Sequence, residues 1–164
     1  MATVRAATES DIPRIQELYR QLAFTPPPTA DTNKPPVEEY RRVFAEMNAL
    51  PGYELLVAEE AGQVIGTTVL AILPGFAHGV SPFAVIEYVI VDEAYRGKGT
   101  GKLLMKYCMD RAEEAGSYKI MLTSDVHIGI LTLLHSLLSG VFAKFDVITA
   151  FRQWSIIEGF FRQS

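Results

Sequence analysis

The chain has 164 residues, 49% hydrophobic and 21% charged, with nine prolines, twelve glycines and one cysteine. That length suits a single domain, residues 1–164, with a core of its own, and the lone Cys108 excludes an internal disulfide framework and any multi-cysteine metal site. A net charge of −4 and a pI near 5.4 have the wrong sign for a protein held to nucleic acid by its overall charge, although a local basic patch can still bind a small anion.

The opening residues, MATVRAATESD, lack the apolar core of a secretory signal, so a cytoplasmic protein is expected. Ala2–Ala7 reads as a short strand. A helix follows, with Thr8 or Ser10 as N-cap and Ile12, Ile15, Leu18 and Leu22 at helical spacing. The proline cluster Pro26, Pro27, Pro28, Pro35 and Pro36 breaks it. A second helix starts near Pro36 with an apolar face of Val37, Tyr40, Val43, Phe44 and Met47, and Pro51-Gly52 ends it.

Tyr53–Ala58 and Val64–Leu73 form a hairpin about an Ala61-Gly62 turn. Pro74–Pro82 is a loop, and Phe83–Val91 (FAVIEYVIV) is β-prone and apolar enough to sit centrally in a sheet. A glycine-rich turn spans Arg96–Gly101, a helix runs from Lys102 to Ala115 before Gly116, and Tyr118–Thr123 is a further strand. The order β-α-α-β-β-β-α-β implies an α/β domain, a mixed sheet with helices on both faces.

Chemistry concentrates in the turn Arg96-Gly97-Lys98-Gly99-Thr100-Gly101. Glycines there allow positive φ and close backbone approach, and the free N–H groups of the following helix favour an anion. Arg96, Lys98 and Lys102 add positive charge, so a phosphate or pyrophosphate is the natural guest. The dinucleotide fingerprint G-x-G-x-x-G fails because Lys102 stands three residues after Gly99. A Walker A loop fails because Leu103 follows Gly101-Lys102 and Arg96 stands five residues before Gly101, which also disfavours a nucleotide-dependent phosphotransferase. The pattern [Q/R]-x-x-G-x-[G/A] fits at Arg96, Gly99 and Gly101.

With the strand ending VIVD before it and Leu103-Leu104 after it, this turn resembles the pyrophosphate loop of the GNAT acetyltransferase superfamily. The strand IEYVIV, with Glu87 nine residues before Arg96, and the later YKIMLTS resemble its small-amine branch, which includes glucosamine-6-phosphate N-acetyltransferases. The likeness covers residues 1–125, and the sugar substrate is not carried over with it. It implies a mostly antiparallel sheet of about six or seven strands and acetyl-CoA as co-substrate. It also implies a direct transfer of acetyl to a primary amine of a small molecule, with neither nucleic acid nor membrane as partner. Backbone groups near Val89, Ile90 and Val91 would face the pantetheine arm and the thioester carbonyl. The amides of Arg96, Gly97, Lys98, Gly99, Thr100 and Gly101, with Lys102, would hold the pyrophosphate.

Glu87 is the only charged residue between Glu60 and Asp92 and is the candidate general base. Its alternatives are a solvated position on the sheet or binding of the substrate amine without proton transfer. The resemblance implies a general-acid tyrosine on the helix after the fifth strand, yet no tyrosine occurs from residue 119 to the end. Counting back from Gly140 puts His135 or Ser136 near that position. Phe76 and His78, in the loop before the motif strand, are candidate substrate contacts. Tyr19, Tyr40 and Phe44 read as core or pocket lining, Cys108 as a small core residue, and the three histidines have no metal-ligand spacing, so no metal is expected.

The last 41 residues carry only six of the 34 charges, and Val126–Ala143 carries none. This stretch reads as a core segment rather than a membrane span, and residues 126–164 are atypical of the family. A last strand is expected at Asp146–Arg152, and the apolar tail Trp154–Phe161 suits packing on a second copy, giving a homodimer. The competing reading of the whole chain is an acetyl-CoA-binding module, a sensor or subunit with little or no turnover.

Overall fold

The computed structural model describes residues 1–21, 35–124 and 146–151. Among them β1 (Thr3–Ala6), α1 (Ile12–Arg20), α2 (Val37–Ala49), β2 (Tyr53–Glu60), β3 (Gln63–Leu73), β4 (Phe83–Val91), α3 (Thr100–Glu114), β5 (Lys119–Ser124) and β6 (Asp146–Phe151) follow in order. The six strands form one sheet in sequence order. The β1–β2, β2–β3 and β3–β4 pairs are antiparallel; β4–β5 and β5–β6 are parallel. The mixed, mostly antiparallel sheet of the sequence reading is therefore present.

Alternation along β2 sorts the core. Leu56 joins Leu70, Ala84, Ile86, Met105 and Cys108 on the face that α3 covers. Its neighbours Leu55 and Val57 join Ile15, Leu18, Val64, Val69 and Ile90 on the other face, with Phe44 and Met47 of α2 packed alongside. The β2–β3 hairpin turns on Ala61 (φ 50°) and Gly62 (φ 79°), two left-handed residues whose twist matches the strands they join. The expected apolar face of α2 is shallower than its spacing suggests. No residue of α2 is buried, and Val37 and Val43 are 40% and 39% exposed. Its Phe44 and Met47 pack on the sheet and Tyr40 is half-buried, while Val37 and Val43 stay at the surface.

A partly buried ion cluster ties β1 to the start of α1. Arg5 donates to both oxygens of Asp11, at 2.7 and 3.1 Å, and to Glu59, while Asp11 accepts the Thr8 amide at 2.7 Å. The Arg5 hydrogen bond, aided by Thr8, holds the Asp11 carboxyl at about 2 against the burial that opposes it. A carboxyl pKa lowered by folding stabilises the fold above its ordinary value, and that contribution disappears as pH falls through the folded value. Asp11→Asn is therefore expected to cost about 2 kcal/mol at pH 7. Urea titrations should show the gap between the two proteins closing as pH falls from about 4 to about 2.

Candidate active site

β4 ends at Val91, and Asp92 turns the chain by accepting the Ala94 amide at 2.9 Å. Gly97 (φ 74°) and Gly99 (φ 88°) then take left-handed backbone, and Gly99 becomes the N-cap of α3. The helix thus begins at Thr100, two residues earlier than the spacing predicts, because Gly99 completes the reversal alone. Its first-turn amides have no intrahelical acceptor and, with the helix dipole, favour an anion at the loop. A Cβ on Gly97 or Gly99 would meet nothing within 4 Å. Glycine is required there by the backbone conformation, not by lack of space. At Gly101, where no positive φ occurs, a Cβ would make only ordinary contact, 3.6 Å from Val91 Cγ2.

The loop is exposed from Arg96 to Gly99, and so is Lys102 in the first turn of α3. Lys98 Nζ donates to the Ala94 carbonyl at 3.0 Å and lies 4.9 Å from the Tyr95 ring centre. Arg96 Nε donates to the Val91 carbonyl at 3.1 Å, so Arg96 braces the loop. α1 buttresses the same turn. Arg14 donates to the Val64 carbonyl and pairs with Asp92, and Gln21 Oε1 accepts the Glu93 amide at 3.2 Å. The Ala94 N–H, then Arg14, holds the Asp92 carboxyl below the usual carboxylate range. Gly66 was not singled out by the sequence reading. A Cβ there would lie 2.9 Å from the Ile90 carbonyl oxygen and 3.2 Å from Leu104 Cδ1. Its absence lets α3 settle against β3 and β4, and a glycine inside a strand pattern is the available signal of such an approach.

Beside this loop the sheet opens. β4 pairs with β5 only through Ala84–Ile120, Val85–Met121 and Ile86–Leu122. Beyond that point β4 continues with β3 and β5 continues with β6. The Asp92 amide donates to Ile65 at 2.9 Å, so by alternation the peptide groups of Val91 point away from β3, toward the gap. Ile90, one residue back, stands opposite Thr67 in the ladder. By the same alternation its peptide groups face β3, which separates it from Val91.

Within β4 the register slips. Val69 pairs with Glu87 and Thr67 with Ile90, so Tyr88 and Val89 together oppose Thr68. Tyr88 adopts φ 54°, and the buried Thr68 hydroxyl donates to the Glu87 carbonyl at 3.0 Å. This bulge changes the facing of the strand. Glu87, opposite Val69, lies on the α1 face, half-buried. The Tyr88 ring sits 5.7 Å from Tyr19 of α1, tilted 55°. Two successive side chains therefore share one face. The Tyr19 hydroxyl is pushed well above the ordinary phenol range by burial, then by Tyr53 and Tyr88. Tyr53 is raised by burial, then by Tyr88 and Glu87. Tyr19 thus feels Tyr53 and Tyr88, and Tyr53 feels Tyr88 and the Glu87 carboxylate.

The profile of the Acetyltransferase (GNAT) family matches residues 13–129, which include the loop, the gap-lining strands and the bulge. The chain belongs to the GNAT acetyltransferase family. It is 29% identical over 121 residues to glucosamine 6-phosphate N-acetyltransferase of Trypanosoma brucei brucei, covering 74% of this chain and 78% of the relative. It is also 29% identical over 120 residues to the L-amino acid N-acyltransferase MnaT of Escherichia coli, covering 71% and 66%. The crystal structure of glucosamine-6-phosphate N-acetyltransferase from Arabidopsis thaliana superposes with a TM-score of 0.71 at 26% identity, over 84% of this chain and 90% of that one. A Salmonella typhimurium acetyltransferase solved with its cofactor acetyl-CoA gives 0.63 at 25% identity, over 84% and 78%. Acetyl-CoA is the co-substrate of this family of N-acetyltransferases.

In this GNAT chain the remaining candidates are placed as follows. His78 (φ 52°) stacks on Tyr118 with ring centres 4.1 Å apart, and Phe76 is 98% exposed. Both precede the start of β4, whereas Glu87 lies at its middle, four residues or about 13 Å further along the strand than Phe83. His78 is thus held against the residue before β5, and Phe76 projects from the loop before β4. His135, Ser136, the uncharged stretch 126–143 and the tail 154–161 lie outside the described residues. Cys108 is fully buried in the α3 core, and burial pushes its thiol up to about 12, which suits packing and not nucleophilic attack. A cavity of about 380 Å³ lies beside the α3 N-terminus, lined by Met1, Glu60, Tyr95, Lys98, Thr100 and Leu103. Met1 and Glu60 put it on the β1–β2 side of α3, away from the gap beside β5. Among the described residues no cluster of three or more His, Cys, Asp or Glu could hold a metal ion, and no helix is long and apolar enough to cross a membrane.

Proposed function

We propose that this chain transfers acetyl directly from acetyl-CoA to a primary amine of a small molecule, with Glu87 as general base. The observation that carries the reading is the placement of Glu87. Regular pairing with Val69 puts its half-buried carboxylate on the α1 face beside the β4–β5 gap, while the α3 N-terminus lies at the end of the same strand. The amides of Gly99, Thr100 and Gly101, with Lys102, would hold the pyrophosphate. The Val91 N–H would polarise the thioester carbonyl, a fixed dipole aimed where negative charge develops. Acetyl-CoA supplies the activated acetyl group and leaves as its thiol. Glu87 takes the proton that an incoming ammonium must lose before its nitrogen becomes a nucleophile. Because the family tyrosine is absent, solvent supplies the proton to the departing thiolate.

A cytoplasmic setting and a homodimer belong to the same reading, the latter supported by the apolar sequence of residues 154–161. The second reading, a cofactor-binding module, is favoured by one observation, the lack of any tyrosine after residue 118. Thiol release from acetyl-CoA, followed across amino acids, amino sugars, amino sugar phosphates and arylalkylamines, separates the two. Release with at least one amine supports the transferase. Thermal stabilisation by acetyl-CoA with no release across that panel supports the module.

A further inference from the structure

We propose that Tyr88, Tyr19 and Tyr53 form an aromatic acceptor subsite beside Glu87, so that the preferred substrate is an amine on an apolar or aromatic frame and not a phosphorylated sugar. This rests on the transferase reading above. A regular strand would point residues 86 and 91 to opposite faces, yet Ile86 packs in the α3 core and Val91 beside Leu104 of the same helix. The extra residue at the bulge accounts for the odd spacing, and it is what brings Tyr88 to the α1 face next to Glu87.

Tyr88 is 44% exposed although it sits in a central strand. Tyr19 and Tyr53 are half-buried behind it in the cluster that includes Phe44 and Met47. Tyr19 and Tyr53 carry neutral hydroxyls, since burial raises both. An ammonium entering here meets aromatic faces that attract cations and a carboxylate that takes its proton. Its carbon frame meets apolar rings.

A phosphate group would need cations on this face. Among the described residues of α1 and α2, Arg14 is paired with Asp92 and Glu17, Arg41 with Glu9, and Arg42 with Glu39 and Glu46. Arg20, exposed in the last turn of α1, is the remaining cation of those two helices. Of these cations only Arg20 is left to meet a phosphate, whereas the rings and the Glu87 carboxylate suit an ammonium on an apolar body.

The test compares 2-phenylethylamine with glucosamine 6-phosphate on the full chain, by acetyl transfer and by calorimetric binding to the CoA-bound protein. The expected results are at least tenfold higher kcat/KM and tenfold tighter binding for phenylethylamine. Tyr88→Ala should reduce the ratio of the two kcat/KM values at least tenfold, chiefly through the KM for phenylethylamine. Tyr88→Phe should restore it, since the ring is retained. Stabilisation by acetyl-CoA establishes that each variant is folded. Preference for the sugar phosphate, or equal losses for both amines in Tyr88→Ala, would overturn the subsite. Tight phenylethylamine binding without thiol release leaves the subsite standing and removes the transferase reading. Turnover that favours glucosamine 6-phosphate does the reverse.

Discussion

Glu87→Gln should lower kcat by about 10² to 10⁴-fold while leaving acetyl-CoA binding intact, because the amide keeps the shape of the carboxylate and loses only its basicity. Glu87 lies on the α1 face at the middle of β4, away from the loop at the strand's end, so thermal stabilisation by acetyl-CoA should match that of the unmodified chain. A base acts only when deprotonated. The unmodified enzyme should therefore lose rate on acidification more steeply than the variant, whose rate should follow only the ionisation of the amine itself. Steady-state rates between pH 5 and 9 distinguish the possible roles. A carboxylate that merely held the ammonium would raise KM on substitution and leave kcat near its original value. Unchanged rate and profile would take Glu87 out of the chemistry altogether.

Gly99→Val should weaken acetyl-CoA binding at least tenfold with little loss of stability. Gly99 has φ 88° and ψ 0° as the N-cap of α3. Left-handed backbone costs an L-residue roughly 1–2 kcal/mol, and a β-branched residue resists it most. The loop relieves that strain by turning its amides, and the anion site is lost with them. The Cβ itself has open space around it, so the core should not be disturbed. Gly116→Val provides the control. Gly116 has φ 72° and equally open surroundings, but it lies beyond the other end of the fifteen-residue helix. It should cost similar stability in urea titration and leave acetyl-CoA affinity within about twofold of the original. Equal losses of affinity in both variants would show that helix stability, not loop geometry, governs binding.

The loop was legible in the sequence because its chemistry is local. Gly97 and Gly99 are required by backbone angles that few other residues adopt, Lys102 follows within the first turn, and the apolar spacing of α3 fixes where the helix must run. The hairpin at Ala61-Gly62 was readable for the same reason. Element order then implied the sheet, since each run carries the period of its own structure. The α2 stripe was misjudged because apolar spacing defines a face without stating how much of it the sheet can cover.

Alternation also gave the identity of Glu87, the lone charge in an apolar run, but not what stands beside it. Period-two reading sends Tyr88 to the α3 face, opposite Glu87. Only pairing with β3 reveals that Tyr88 and Val89 share one partner, Thr68, nineteen positions before Glu87, whose carbonyl its hydroxyl holds. Nothing local marks that bulge, because tyrosine and valine are both good strand residues. The gap between β4 and β5 is hidden in the same way, being a divergence of two strands separated in sequence by a helix. Composition, glycine placement and periodicity by themselves therefore led to an acidic α/β chain with a glycine-rich loop suited to an anion. The tertiary structure decided which side chains stand beside Glu87, because register and strand divergence arise from contacts that no single segment contains.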